Sequence, residues 1–319
     1  MLAAMVLGGL ALLVAGGDLL VRGAVAVARR AGVSPLVIGL TLVGFGTSTP
    51  ELLASVQAAL MGSPDIAVGN VVGSNIANIM LILGLAALVS PVAADAPGVR
   101  RDLAVTGFAT LAVVGLLIWG AVPRWVGGAL LALLALYTLG TLIADRRDAA
   151  MARLREGEAE LKDTREFAPG VWTGVGLTVL GLAGVMLGAR FLVSGAVELA
   201  SRWGVSESVI GVTVVAIGTS LPELVTALVA AAKKQSDVAL GNVLGSNIFN
   251  VLGILGVTAL VTPIAVPDEI AARDTWILAV SMVALAAAVL ALRQIPRALG
   301  LALLAGYGVY VAGLAGGLG

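Results

Sequence analysis

The sequence contains no cysteine and no histidine. Disulfide cross-links, thiolate or imidazole metal centres and histidine proton relays are therefore excluded. Charge is also scarce: Asp, Glu, Lys and Arg make up 12% of the 319 residues, against about 25% in a soluble domain. That is too little polar surface to cover a water-exposed globule. Any cation site must be built from oxygen ligands, which suit hard ions such as Ca²⁺, Mg²⁺ or Na⁺.

What fills the chain instead is apolar: 59% of it is hydrophobic, with a mean hydropathy of +1.06. Apolar runs near 20 residues follow one another almost to the end, the length a membrane-spanning helix requires. An outer-membrane barrel would show alternating segments of about 10 residues. The fold class read from this pattern is an all-α polytopic membrane protein. Met1–Ala28 resembles a secretory signal because Ala26-Val27-Ala28 mimics a cleavage site. Its length and the lack of a preceding basic residue make it the first membrane helix.

Ten transmembrane helices are expected, at roughly 3–28, 33–61, 65–89, 102–121, 124–144, 169–200, 206–232, 237–261, 274–293 and 297–317. Residues 1–144 and 169–319 then form two groups of five around a polar linker at 145–168. If the first span begins outside, the inner loops hold 14 Lys and Arg residues and the outer loops 3, with Arg22 and Arg190 inside spans. The positive-inside rule places both termini outside and the 145–168 linker in the cytoplasm of a prokaryotic cell, across its inner membrane.

The two groups repeat one another at a constant offset of 172 residues. Val37-Ile38-Gly39 matches Val209-Ile210-Gly211, and Arg101-Asp102 matches Arg273-Asp274, with no gap between. Five spans separate equivalent points. Because five is odd, the copies cross the membrane in opposite directions. Such inverted-topology repeats are typical of secondary transporters, with the substrate site near the midplane where broken helices meet.

The best-matched positions are polar. Gly46-Thr47-Ser48-Thr49-Pro50-Glu51 recurs as Gly218-Thr219-Ser220-Leu221-Pro222-Glu223. A charge at membrane depth costs at least about 2.5–3.5 kcal/mol and marks a functional site by default. Pro50 has no N–H, so the Gly46 carbonyl loses its helical partner and helices 2 and 7 should be broken. Irregular backbone at this depth is tolerated where it lines protein or a cavity. A kink alone explains the proline and glycine but not the glutamates.

The third and eighth spans carry Gly73-Ser74-Asn75-Ile76-Ala77-Asn78 and Gly245-Ser246-Asn247-Ile248-Phe249-Asn250. Ser74 and Asn78 share a helix face, as do Ser246 and Asn250, and these four are expected to line the cavity. Asn70, Asn75, Asn242 and Asn247 are better read as interhelical ties. Gly69 and Gly73 weakly suggest close packing. Asp65 and Asp237 read as N-caps, and Gln57 as a pathway edge below Glu51. Asp18 aligns with Arg190 and would pair with it if the first helices of the two halves meet. Glu198 is placed at the outer end of its span.

The paired motifs resemble the alpha repeats of the cation/Ca²⁺ exchanger superfamily, and most closely its prokaryotic Na⁺/Ca²⁺ exchanger branch. The resemblance implies that Glu51 and Glu223 bind Ca²⁺ and share in Na⁺ binding. It adds Thr47, Thr219, Ser48 and Ser220 from the first motif, and Ser74, Asn78, Ser246 and Asn250 from the second. It further implies that spans 1 and 6 move against the rest. The K⁺-dependent branch characteristically has aspartate where this chain has Asn250, so K⁺ co-transport is disfavoured.

Charge balance agrees. Two ionised glutamates neutralise one Ca²⁺ or two Na⁺, whereas an ion-free site would hold two uncompensated charges in low dielectric. The expectation is therefore a K⁺-independent Na⁺/Ca²⁺ antiporter acting by alternating access as a monomer, without cofactor, whose transported ions are Ca²⁺ and Na⁺. A Ca²⁺/H⁺ antiporter on the same scaffold is the alternative, and a passive cation channel is a more distant one. No nucleophile–base pair or cofactor loop suggests an enzyme.

Overall fold

The computed structural model describes residues 2–63, 65–156, 170–202 and 216–315. It is an all-helical membrane fold. In chain order the helices are α1 (Leu2–Ala31), α2 (Pro35–Thr47), α3 (Thr49–Leu60), α4 (Ile66–Val89), α5 (Val99–Trp119) and α6 (Arg124–Glu156). They continue with α7 (Val171–Arg202), α8 (Ala216–Thr219), α9 (Leu221–Ala232), α10 (Ser236–Val261), α11 (Ile270–Leu292) and α12 (Arg297–Ala315). Among the described residues eight helices are long and apolar enough to span a membrane, and α2 with α3 makes a ninth, bent by 42°. The expected seventh span is described only as α8 and α9; residues 206–215 of it lie outside the described residues.

The centre of the molecule is α4 and α10, whose most apolar windows are 72% and 83% buried, whereas that of α12 is 11% buried. The central pair carries both copies of the second motif. Around them α1 and α7 form a long antiparallel pair joined by glycines. A Cβ at Gly9 would lie 2.8 Å from the Leu192 nitrogen, one at Gly16 2.6 Å from that of Val185, and one at Gly188 2.7 Å from that of Leu13. Gly9, Gly16 and Gly23 face Gly188, Gly181 and Gly174, both sets seven residues apart. This spacing keeps one seam in register along the pair, and small residues there let two backbones approach within a membrane.

Two short antiparallel ribbons join the halves at the helix ends. Strand β1 (Val92–Ala93) pairs with β4 (Gln294–Ile295), and β2 (Ala121–Val122) pairs with β3 (Ile264–Ala265). Arg297 adds a hydrogen bond of 3.1 Å to the Leu88 carbonyl beside the first ribbon.

Three expectations are corrected. The fifth span does not end at 144: α6 continues through Glu156, taking in half of the proposed linker, and residues 157–169 lie outside the described residues. Its Asp145 is half-buried and accepts hydrogen bonds from the Ser34 backbone nitrogen (2.6 Å) and hydroxyl (2.8 Å), fixing the start of α2. Asp18 pairs with Arg22 at 2.7 Å and with Lys233, not with Arg190. The reason is register: Arg190 lies level with Gly9 across the antiparallel seam, nine residues or about 13 Å along α1 from Asp18. Asp237 is in the first turn of α10, and the N-cap is Gln235. Asp65 is the first residue of its helix, so the N-cap position expected of it falls on residue 64, outside the described residues. Glu198 pairs with Arg202 at 3.0 Å in the exposed last turn of α7.

Candidate ion-binding site

The α2–α3 and α8–α9 connections each fall on a serine. Ser48 has φ −83° and ψ 7°, and Ser220 has φ −89° and ψ 6°. Neither is helical, and both sit in the sparsely populated bridge region where functional residues concentrate. The break thus falls two residues beyond Gly46, whose carbonyl the proline rule singled out. A new helix starts on each far side, with Pro50 and Pro222 in its first positions, where a missing N–H costs nothing. Glu51 and Glu223 fall in those first turns, beside N–H groups with no helical partner and the positive end of the helix dipole.

The glutamates are 1% and 2% exposed and lie within electrostatic reach of each other. The Ser48 hydroxyl donates to Glu223 Oε1 at 2.8 Å, so the breakpoint of one half holds the carboxylate of the other. Ser220 stands beside Glu51, yet both Glu51 carboxylate oxygens lack a hydrogen bond of good geometry. Thr47 is buried against Glu223 and donates to the Gly44 carbonyl (3.2 Å) and to Asn242 Oδ1 (3.3 Å). Thr219 closes α8 and is half-buried.

The second motif completes the enclosure from α4 and α10. Ser74 and Ser246 are buried, and the Ser246 hydroxyl donates to the Gly44 carbonyl at 3.3 Å. Asn78 donates its amide to Asn247 Oδ1 at 3.0 Å, and Asn250 donates to Asn75 Oδ1 at 2.9 Å. With their nitrogens engaged, Asn78 and Asn250 keep side-chain oxygens that are buried and unpartnered. Both residues lie in stretches of π-helix, Asn78–Ile82 and Phe249–Ile254. Such widened turns recur at functional sites.

The ten sequence-predicted residues are carried by α2–α3, α8–α9, α4 and α10, which pack together; contacts join Thr47 and Ser48 to Glu223, Ser220 to Glu51, and Ser246 to Gly44. The asparagines read as ties behave as such: Asn70 donates to the Glu51 carbonyl (3.2 Å), Asn242 to the Glu223 carbonyl (3.2 Å), and Asn75 to the Asn247 carbonyl (3.4 Å). Gln57 does not edge the pathway. It is exposed, because six residues along a helix point away from Glu51. Ser55 is buried on the Glu51 side, where it accepts from Asn70 at 2.9 Å. The close packing read into Gly69 and Gly73 belongs to their counterparts. A Cβ at Gly241 would meet the Leu36 carbonyl at 2.6 Å, whereas nothing among the described residues lies within 4 Å of one at Gly73. Sequence reading also missed Phe45, which stacks on Phe249 across α2 and α10 at 4.8 Å between ring centroids. Only adjacency to Thr47 and Asn250 could have drawn attention to that pair.

Among the described residues no three His, Cys, Asp or Glu side chains cluster as a metal site. This centre has two carboxylates and many neutral oxygens, a set with the hardness that alkali and alkaline-earth ions require.

The profile of the family described as "Sodium/calcium exchanger protein" matches residues 1–143 and 173–315, which is both halves and all ten site residues. The chain belongs to this family. It is 37% identical over 97% of its length to the inner membrane protein YrbG of Escherichia coli, covering 95% of that protein. It is 33% identical over 82% of its length to the sodium/calcium exchanger MaX1 of Methanosarcina acetivorans, covering 83% of it. Among solved structures, the sodium-calcium exchanger NCX_Mj superposes with a TM-score of 0.84 at 34% identity, over 98% of this chain and 100% of that one. The exchanger is thus a transporter of the cation/Ca²⁺ exchange class, built as a polytopic helical membrane protein.

Proposed function

We propose that this exchanger is a Na⁺/Ca²⁺ antiporter working by alternating access, independent of K⁺, with Glu51, Glu223, Thr47, Thr219, Ser48, Ser220, Ser74, Asn78, Ser246 and Asn250 as its ion-binding set. One observation carries the reading. Glu51 Oε1 and Oε2, Glu223 Oε2, Asn78 Oδ1 and Asn250 Oδ1 are all buried without a hydrogen-bond partner. Unsatisfied buried oxygens cost about 1–3 kcal/mol each, more when charged, and a cation bound among them removes that cost. Two carboxylates match one Ca²⁺ or two Na⁺, which gives competition between loads that neutralise the site equally. Asn250 contributes no charge, in keeping with an exchanger that does not need K⁺.

The ten-span inverted arrangement receives support from parity. The β1–β4 ribbon puts the loops after α4 and before α12 on one side of the membrane. The chain between them must cross an even number of times, and α5, α6, α7, α10 and α11 supply five. One crossing between α7 and α10 makes six. The antiparallel α1–α7 pair, whose members are equivalent at the 172-residue offset, fits the same scheme. With the basic loops inside, both termini face outward, α6 ends at the cytoplasm, and the membrane is the inner one, as the name of YrbG suggests. One chain contains the whole site, so a monomer suffices.

The test is counter-transport in proteoliposomes. An outward Na⁺ gradient is expected to drive Ca²⁺ uptake, with K⁺ and pH gradients alone giving none, and Glu51→Gln or Glu223→Gln abolishing it. Uptake that follows a pH gradient without Na⁺ would replace this reading with Ca²⁺/H⁺ exchange. A conductance far above turnover rates would point to a channel, and activity in both single variants would remove the site assignment.

A further inference from the structure

Away from the ion site, a cavity of about 380 Å³ opens between α1, α7 and the turn after α9. Its floor is apolar, with Val21, Val25, Ala26 and Leu177, while Arg22, Arg29, Lys233 and Gln235 supply the polar groups. Arg22, Val25, Ala26 and Arg29 are three or four residues apart, so they form one face of α1 over two turns. Asp18 offsets part of the charge through its pairs with Arg22 and Lys233. Three cations against one carboxylate leave a net charge of about +2 at the cavity, by the charge rules for exposed side chains. Arg29 is exposed and has no ion pair among the described residues.

An apolar slot under a ring of basic groups is the complement of an acyl chain under an anionic headgroup. Basic pockets between transmembrane helices bind such headgroups, and the positive-inside rule puts this one in the cytoplasmic leaflet, where anionic lipid supplies the charge. A soluble anion would satisfy the arginines and leave the half-buried Val25 and Leu177 uncovered. We propose that this cavity is a binding site for one anionic phospholipid, its phosphate held by Arg22, Arg29 and Lys233 and its chain lying on Val25 and Leu177. Lys233 follows the helix whose first turn holds Glu223, so the lipid would bridge the α1–α7 pair to one half of the proposed ion site.

Native mass spectrometry of the full-length protein in detergent tests this, using phosphatidylglycerol, phosphatidylcholine of the same chains, and inorganic phosphate as a competitor. One phosphatidylglycerol per chain is expected to be retained in preference to phosphatidylcholine and to resist millimolar phosphate. Each basic residue near a membrane surface is worth about fivefold in affinity for anionic lipid. Arg29→Gln, which leaves the Asp18 cluster intact, should therefore weaken retention about fivefold, and Arg22→Gln with Arg29→Gln about twenty-five-fold. Arg146→Gln with Arg147→Gln, an exposed basic pair elsewhere, should change it little. Equal retention of both lipids, equal loss in the two double variants, or no loss in Arg29→Gln would overturn the proposal. Displacement by phosphate would reassign the cavity to a soluble anion. None of these readouts depends on ion exchange, so they stand apart from the antiport experiment.

Discussion

The Asn250 amide donates to the side-chain oxygen of Asn75 at 2.9 Å, and Asn78 donates to that of Asn247 at 3.0 Å. Each half of the chain thus fixes an amide of the other half whose side-chain oxygen is buried and unpartnered. Asn75 and Asn247 act as positioning residues, because their role is to fix the rotation of an amide in the proposed ion-binding set. Outer partners of this kind typically change metal affinity by about 10–100-fold when removed. Asn75→Ala and Asn247→Ala are each expected to weaken Ca²⁺ binding within that range while leaving the fold intact. Calorimetric Ca²⁺ titration, checked against thermal unfolding, measures both. A loss of stability without a change in affinity would make these residues structural only.

The neighbouring helix α3 separates a tether from a bystander. Ser55 is buried and bonded to Asn70, which also holds the Glu51 carbonyl, whereas Gln57 points outward. Gln57→Ala should fall within about ±0.5 kcal/mol of wild-type stability, as surface substitutions do, with transport unchanged. Ser55→Ala removes one net hydrogen bond, about 1 kcal/mol, and loosens Asn70. Parallel melting curves and Ca²⁺ uptake rates distinguish the two variants.

Much of the site could be read from the sequence because its chemistry is improbable in a membrane. Glu51 and Glu223 announce themselves by cost, and the proline beside each by geometry. The 172-residue offset then ties the halves together. What stayed hidden depends on how helices rotate and slide against each other. The serine breakpoints require actual dihedral angles, since Pro50 forbids a bond to Gly46 without saying which residue absorbs the bend. The Gln57 misreading came from treating closeness in sequence as closeness on a face. Asp18 and Arg190 match by offset, but an antiparallel seam sends equivalent residues to opposite ends of the pair. Asp145 reads as the start of a charged linker, and only the α6 trajectory reveals that it reaches back to Ser34.

The α1–α7 seam makes its own demand. A Cβ at Gly16 would lie 2.6 Å from the Val185 nitrogen and 2.9 Å from the Gly181 carbonyl, and these backbone atoms cannot turn aside. Gly16→Val should force the helices apart at a cost of about 1–3 kcal/mol or more, the range for overpacking. Gly8 has open space around it, so Gly8→Ala is the matched control and should be near neutral. Thermal unfolding in detergent gives the stability difference. If the pair moves during transport, Gly16→Val should also slow Ca²⁺ exchange more than it weakens Ca²⁺ binding.

The Asp145–Ser34 pair is not repeated in sequence at the 172-residue offset. Ser34 corresponds to Ser206 at the 172-residue offset, but Asp145 corresponds to Gly317, which offers no carboxylate. The start of α2 is fastened to α6 by two hydrogen bonds to a half-buried carboxylate. Capping interactions of this type contribute about 0.5–2 kcal/mol, and hydrogen bonds to a charged group about 1.5–3 kcal/mol. Asp145→Ala is expected to destabilise the protein by about 2 kcal/mol, within those ranges. Ser34→Ala removes the hydroxyl bond but keeps the backbone one, and should cost less. The double variant should cost less than the sum, because both changes remove the same hydroxyl–carboxylate bond. A double-mutant cycle read by thermal unfolding tests this, and strict additivity would show that the bond contributes nothing. The carboxylate is remote from the ion site in sequence and fold, so Ca²⁺ affinity should hold in all three variants. A change in exchange rate with affinity preserved would mean that the fastening governs how readily the α2 side opens.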